Sequence, residues 1–238
     1  MPISSKSVSV IGMIYKSVEF LDFICHQFDV YCTSNTYKVN HFIIANDASP
    51  KILHTIKKRS IPHLIYNDSK PNDYYLDRVY RAWNYGGFAA QSDIIVFVNS
   101  DMAFTEGWLD ALLSKLTFDN IPCSRLIESG KMKSGQYGIS KNFGKTPSEF
   151  LKDDFLKYAN SIKENKIQRG GLFMPCAFYT KDFIESGGYP EGNVKIENAV
   201  VSGDRYFFYS NKIMKSKRHI TVFDSLIYHF QEGEFSSQ

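Results

Sequence analysis

Apolar residues fall in short unbroken runs separated by stretches of helical spacing, and the two patterns alternate. Residues 8–14 (VSVIGMI), 41–45 (HFIIA), 63–66 (HLIY) and 94–98 (IIVFV) are rich in β-branched and aromatic side chains. The runs 8–14 and 94–98 are too continuous for half-exposed strands and predict buried strands of a parallel sheet; 41–45 reads as a second strand and 63–66 as a weaker third. Residues 18–32 place Phe20, Leu21, Ile24, Phe28 and Tyr31 on one helical face. A short amphipathic helix is expected over 51–58. Residues 74–90 align Leu76, Val79, Tyr80 and Trp83, and 108–116 predict a further helix. The first half therefore reads β-α-β-α-β-α-β-α, which implies an α/β fold, Rossmann-like, with right-handed crossovers.

The second half is less regular. Residues 122–144 are polar and contain Gly130, Gly135, Gly138 and Gly144, and they read as loops or a short hairpin. Residues 147–163 predict one amphipathic helix capped by Ser148, with Phe150, Leu151, Phe155, Leu156, Tyr158 and Ile162 on its apolar face. Residues 172–179 read as a strand, and 181–186 as a short helix closed by Gly187-Gly188. A helix over 203–210 and a last strand over 220–230, ending near His229, complete the pattern.

Composition narrows the classes. A net charge of +3 gives no footprint for nucleic acid. The 19 Phe and 15 Tyr predict a large aromatic core. Cys25, Cys32, Cys123 and Cys176 show no zinc-site spacing and read as reduced thiols of a cytoplasmic protein. The first six residues are polar and carry no leader pattern. The longest apolar stretch is far short of the roughly 20 residues a membrane helix needs; peripheral membrane contact stays open. Neither GxGxxG nor GxxxxGK[ST] follows a strand, which argues against ordinary dinucleotide and P-loop sites.

Two predicted strands end in acidic turns: Asn46-Asp47-Ala48-Ser49 and Asn99-Ser100-Asp101. Asn, Ser and Asp favour turns on their own account. Two such turns at carboxyl ends of strands also fit a shared ligand crevice, which needs a divalent metal or basic side chains as counter-charge. Arg78 and Arg81 lie three apart on the preceding helix, either as a solvated face or as contacts to a phosphate or nucleotide. Asp204 opens a helix, as an N-terminal cap or as a general base. His229 ends a strand and reads as structural or as a ligand.

The ordered set of Tyr15 after a first strand, Asn46-Asp47-Ala48-Ser49, Asn99-Ser100-Asp101, Gly187-Gly188-Tyr189, Ser202-Gly203-Asp204 and Tyr228-His229 resembles a family 2 glycosyltransferase of the GT-A fold, over residues 7–231. The resemblance implies a single domain over 1–238, with a nucleotide-sugar half (1–118) and an acceptor and catalytic-base half (119–238). It implies an inverting transfer from a nucleotide-diphosphate sugar to a hydroxyl acceptor (glycan, lipid or protein-linked), with Mn²⁺ or Mg²⁺ as cofactor. Tyr15 falls at the nucleotide base, and Asp47 at the base or ribose. Asn99-Ser100-Asp101 matches the DxD motif, with Asp101 the metal ligand and Asn99 near the ribose. Asp204 matches the last acid of the "ED" motif, the catalytic base, and His229 an additional metal ligand. Two positions depart from the family pattern: Asn99 replaces an Asp, and Gly203 replaces the Glu of ED, with Glu191 and Glu197 as substitute acids upstream. Alternatives are an inactive GT-A-like domain that binds a nucleotide or glycan, and a nucleotidyltransferase, for which Gly12-Met13-Ile14-Tyr15-Lys16 is a poor phosphate loop.

Overall fold

The four apolar runs become neighbouring parallel strands, with the half-exposed 63–66 run at the edge. The computed structural model describes residues 6–68, 70, 73–130, 135–197 and 199–231; the first five residues, part of the polar 122–144 stretch and the tail after Gln231 lie outside them. Strand β1 (Ser7–Ile14) is followed by α1 (Val18–Tyr31), β2 (Lys38–Asn46), α2 (Pro50–Arg59), β3 (His63–Tyr66), α3 (Tyr75–Ala89) and β4 (Ile94–Phe97). Ser17 accepts the Phe20 N–H to start α1, and Ser49 accepts that of Ile52 to start α2, with Pro50 in its first turn. These strands lie in the order β3-β2-β1-β4, all parallel.

The chain then builds the rest of the sheet from β5 (Met102–Phe104), α4 (Trp108–Leu113), β6 (Asn120–Glu128), β7 (Ile139–Ser140), α5 (Lys152–Ile162), β8 (Ile167–Arg169) and β9 (Cys176–Tyr179). Next come α6 (Thr180–Ser186), the hairpin of β10 (Asn193–Ile196) and β11 (Ala199–Ser202), α7 (Gly203–Tyr209) and β12 (Arg218–His229). The full order is β3-β2-β1-β4-β9-β6-β12-β5, with β7 beside β6 and β8 beside β12. Strand β9 runs antiparallel to β4 and touches β6 at one position, whereas β6 and β12 pair in parallel along their length. One core layer packs α1 and α4 beneath the sheet; the other gathers Tyr80, Trp83, Phe97, Phe178, Phe183 and Phe207.

Three expectations for the second half are corrected. The stretch read as loops opens with β6, a nine-residue strand at the centre of the sheet. Pro122, Ser124 and Arg125 hide it by breaking the apolar run. Pro122 is tolerated because its nitrogen lies on the same edge as that of Ser124, the edge toward β9, where pairing is confined to one position. The single helix over 147–163 is a 3₁₀ turn at Pro147–Glu149 followed by α5. Phe150 leaves helical geometry (ψ 114°) to stack on Tyr228 at 5.4 Å. Ser148 caps no helix; its N–H donates to Glu19 Oε1 at 2.9 Å. The strand expected over 172–179 is confined to Cys176–Tyr179.

Candidate active site

Parallel strands that start together also end together, so residues just past β2, β1 and β4 share one edge of the sheet. Ile14 pairs with Ala45 and Ile11 with Phe97, which sets Tyr15, Asp47 and Asn99 beyond the same line. The strand order reverses between β1 and β4, the position where open α/β sheets form a crevice. The loops there are tied together. The Ser49 N–H donates to the Tyr15 carbonyl at 3.2 Å, and the Asp47 N–H to that of Tyr66 at 2.8 Å. Asp47 sits at φ 47°, a left-handed conformation that Asp tolerates, and its Oδ1 accepts the Asp68 N–H at 3.1 Å. The Arg78 guanidinium lies 5.4 Å from the centre of the Tyr15 ring. Tyr15, Asp47 and Arg78 are thus gathered into one group.

Arg81 lies behind that group and reaches it through Asp68, whose N–H donates to Asp47. It is buried and its guanidinium meets three carboxylates: Asp73, Asp68 Oδ2 at 3.3 Å and Glu191 Oε2 at 3.5 Å. Its charge is balanced within the protein, so the expected common face of Arg78 and Arg81 is divided between a half-buried group and an internal ion-pair network.

The second group is assembled by strand register. Asp101 closes the turn after β4, one residue before β5. Met102 pairs with His229 across β5 and β12, and His229 pairs with Glu128 across β12 and β6. Three residues distant in sequence therefore form one row. His229 Nε2 lies 3.3 Å from Asp101 Oδ2, and His229 Nδ1 lies 3.0 Å from Glu128 Oε1. Gln231 Nε2 donates to the same Glu128 oxygen at 2.8 Å, and the Phe230 N–H donates to the Asp101 carbonyl at 3.0 Å. Glu128 is fully buried (0% exposed), so its charge depends on these donors. Burial alone would lower the pKa of His229; the flanking Asp101 and Glu128 carboxylates outweigh that and raise it to about 10.

The donor chemistry fits a divalent cation. An outward carboxylate and an imidazole nitrogen approach each other, while a buried carboxylate orients the far side of the ring, the arrangement that fixes a histidine for metal binding. The carboxylate suits Mn²⁺ or Mg²⁺, and the imidazole adds the kind of nitrogen donor that first-row divalent ions take. Glu128 and Gln231 are the residues sequence reading missed. The signal was present: Leu126-Ile127-Glu128 is another apolar run ending in an acid, in a segment read as loop.

Asp204 is held differently. It lies in the first turn of α7, where its Oδ1 accepts the Ser202 hydroxyl at 2.5 Å and the Arg205 N–H at 2.6 Å. Its own N–H donates to the Tyr80 hydroxyl at 3.3 Å. Burial, and then the Asp204 charge, push the Tyr80 hydroxyl well above its usual range. Gly203 is required by packing. A Cβ there would lie 2.5 Å from the Gly192 carbonyl oxygen and 2.7 Å from the Tyr80 ring. No glutamate fits at that position on this backbone. Of the substitute acids, Glu191 pairs with Arg81 and Glu197 stands exposed at φ 50° between β10 and β11.

Among the described residues, no helix is long and apolar enough to cross a membrane. The chain is 30% identical over 118 residues to polypeptide N-acetylgalactosaminyltransferase 8 of Drosophila melanogaster, a match covering 45% of this chain and 19% of that protein. Three solved structures are similar in fold. GalNAc-T7 with UDP, GalNAc and Mn²⁺ matches with a TM-score of 0.58 at 12% identity, over 95% of this chain and 44% of that one. S. aureus TarS (1–349) matches at 0.56 and 13%, over 94% and 60%. The mannosyltransferase PcManGT from Pyrobaculum calidifontis, in complex with GDP-Man and Mn²⁺, matches at 0.57 and 13%, over 96% and 58%. This chain thus spans about a fifth of the curated relative and about half of each solved chain. The family model for glycosyl transferase family 2 matches residues 18–183, well over half of the sequence, and the chain belongs to that family, on a GT-A fold.

Proposed function

We propose that this protein transfers a sugar from a nucleotide-diphosphate donor to a hydroxyl acceptor, with inversion at the anomeric carbon and dependence on a divalent cation. The observation that carries this is the row Asp101–His229–Glu128, built by register beside the Tyr15, Asp47 and Arg78 group on the same side of the sheet. Two of the structural relatives hold Mn²⁺ with UDP or GDP-Man, which supports the same ligand class here. In this reading Tyr15 and Asp47 receive the base and ribose, and Asn99 lies near the ribose. Arg78 carries positive charge toward the diphosphate. Arg81 holds the surrounding loops in place rather than meeting the donor itself.

Asp101 and His229 would hold Mn²⁺ or Mg²⁺, with Glu128 fixing the imidazole; the ion offsets charge building on the departing diphosphate. Asp204 takes the proton from the acceptor hydroxyl as its oxygen attacks the anomeric carbon. The sugar–phosphate bond breaks with its electron pair remaining on the diphosphate. A positioned base of this kind contributes about 10²–10⁴-fold. Residues 1–118 form the donor half in this scheme, and residues 119–238 the acceptor and base half.

Thermal stability measured with nucleoside diphosphates, with and without Mn²⁺ or Mg²⁺, tests the donor site. Stabilisation by one nucleotide only when metal is present, followed by turnover of the matching sugar nucleotide, is the expected result. No shift with any nucleotide sinks the proposal. Binding without turnover, unchanged in Asp204→Asn, would assign the chain to the inactive binding domains. Pyrophosphate release from a nucleoside triphosphate and a sugar phosphate would make it a nucleotidyltransferase.

A further inference from the structure

The two halves of the sheet meet at a narrow seam. Strands β3, β2, β1, β4 and β9 form one side, and β6, β12 and β5 the other, yet among the described residues β9 and β6 are paired at one position, Cys123 opposite Cys176. The adjoining Ser124 N–H donates to the Pro175 carbonyl at 3.0 Å. The cysteines therefore occupy the non-hydrogen-bonded site of the antiparallel contact, where facing side chains come nearest. Thr221 lies opposite Cys123 on β12, and His219, two residues earlier, projects from the same face.

Both Sγ atoms and an imidazole nitrogen lie within 4.8 Å of one another, and the three residues are 0%, 1% and 4% exposed. A fourth donor is at hand. The Leu172 carbonyl oxygen lies 2.7 Å from His219 Nε2 and 3.9 Å from Cys176 Sγ. The far ring nitrogen, Nδ1, is 3.2 Å from the Tyr209 hydroxyl, an outer contact that fixes the plane of the ring. Phe173 stacks on the imidazole at 5.5 Å and Phe208 lies 4.5 Å from it, closing the pocket to water.

We propose that Cys123, Cys176 and His219, with the Leu172 carbonyl, form a closed structural site for a thiophilic divalent cation of the zinc class. Two sulfurs, one nitrogen and one oxygen form a set that suits tetrahedral zinc. In such a site neighbouring sulfurs sit about 3.8 Å apart, as follows from Zn–S bonds of about 2.3 Å, so small side-chain rotations complete it. Electrostatics favours a dipositive ion. Two thiolates and a neutral imidazole cancel its charge, and a dry interior tolerates only a neutral assembly. Binding releases two thiol protons to solvent for each ion. The three side-chain ligands come from three strands and the Leu172 carbonyl from the loop before β9, so no linear spacing reveals them. The site clamps the seam that holds the Asp101 side of the sheet to the Glu128–His229 side.

The full chain, produced in medium supplemented with cobalt or zinc, provides the test. The expected result is one tightly held ion per chain at this site, with a thiolate-to-cobalt charge-transfer band in the near ultraviolet. Cys123→Ser and Cys176→Ser remove the band, and His219→Gln weakens it. Asp101→Ala leaves it intact, because a carboxylate–imidazole site gives no such band; the result is thus independent of the proposed transferase site. Absence of the band from the wild-type protein overturns the proposal. So does a disulfide between Cys123 and Cys176 in the isolated protein, located by peptide mass mapping without reduction, since it would stand in place of a metal.

Discussion

Asp101 and Asp204 are the two acids on which the proposed chemistry depends, and the protein holds them by opposite means. Asp101 is placed by the sheet: β4 delivers it, β5 and β12 set His229 beside it, and β6 sets Glu128 behind His229. To move it, the pairings of β12 with both β5 and β6 must shift. Asp204 is placed by one turn of a seven-residue helix fed by a hairpin, and its carboxylate is satisfied by Ser202 and Arg205, residues one and two positions away. Its longer-range anchors are the Tyr80 hydroxyl and the close fit of Gly203. Rigid register suits a group that must hold an ion at fixed geometry. A locally built helix start suits a base that meets an acceptor arriving from outside.

The largest effects should separate the two acids by what they leave behind. Asp101→Ala should lower sugar transfer by about 10³-fold, on the scale of removing one charge-stabilising group, and should also abolish metal-dependent stabilisation by nucleotide. Asp204→Asn should lower turnover by about 10²–10⁴-fold while leaving that stabilisation unchanged. Paired activity and thermal-shift measurements check both. An Asp204→Asn variant that no longer binds nucleotide with metal would erase the distinction.

Glu128 tests whether register is the agent. It touches neither donor nor acceptor in the proposed scheme, yet Glu128→Gln should weaken Mn²⁺ binding by about 10–100-fold, as loss of an orienting partner does; titration calorimetry of the variant reads this directly. The same row predicts a pH dependence for the metal-free protein. With His229 raised from 6.5 to about 10, its stabilisation is fully present below pH 6.5 and is lost as pH rises through about 10. Melting temperature in chelator should fall across that window, and His229→Gln should flatten the slope.

How much of this was legible in the sequence follows the same division. Strands β1 and β4 announced themselves because they are buried on both faces, and β2 because its last four residues are; β3, at the sheet edge with Ile65 40% exposed, gave the weakest run. The acids at the ends of β2 and β4, Asp47 and Asp101, came with them. Glu128 was lost because β6 carries Pro122, Ser124 and Arg125 where a strand signal needs apolar residues. The neighbours that make those residues acceptable, β12 along one edge and a single contact with β9 on the other, exist only in the folded chain. Arg81 looked equivalent to Arg78 because helical spacing records a shared side, not a burial depth. Its three acidic partners come from positions 68, 73 and 191. Gly203 looked like a lost acid, and the packing of Gly192 and Tyr80 against it supplies the reason.

That packing yields a smaller effect. Gly203→Ala should destabilise the fold by about 1–3 kcal/mol, the usual penalty for forcing a methyl into a filled space, because the new Cβ meets the Gly192 carbonyl at 2.5 Å. Chemical denaturation measures it. The affected backbone carries Asp204, so turnover should fall with stability while Mn²⁺ affinity does not. A stable, fully active Gly203→Glu protein would show that the start of α7 is looser than its contacts indicate.

The smallest effect concerns the other departure from the family pattern. Asn99 lies two residues before Asp101 in the turn that leaves β4, partly exposed, where a carboxylate of the same size would add negative charge near the proposed ion. An exposed charge of this kind is worth about 0.2–1 kcal/mol, so Asn99→Asp should tighten Mn²⁺ by no more than roughly fivefold and leave the melting temperature of the metal-free protein nearly unchanged. The contrast with Asp101→Ala then tests the geometry itself. If the ion is held by Asp101 and His229, a second carboxylate tunes an existing site. If Asn99→Asp instead raised affinity by orders of magnitude, the row formed by Asp101, His229 and Glu128 would not be the ion's principal support, and register would lose its claim to have built the site.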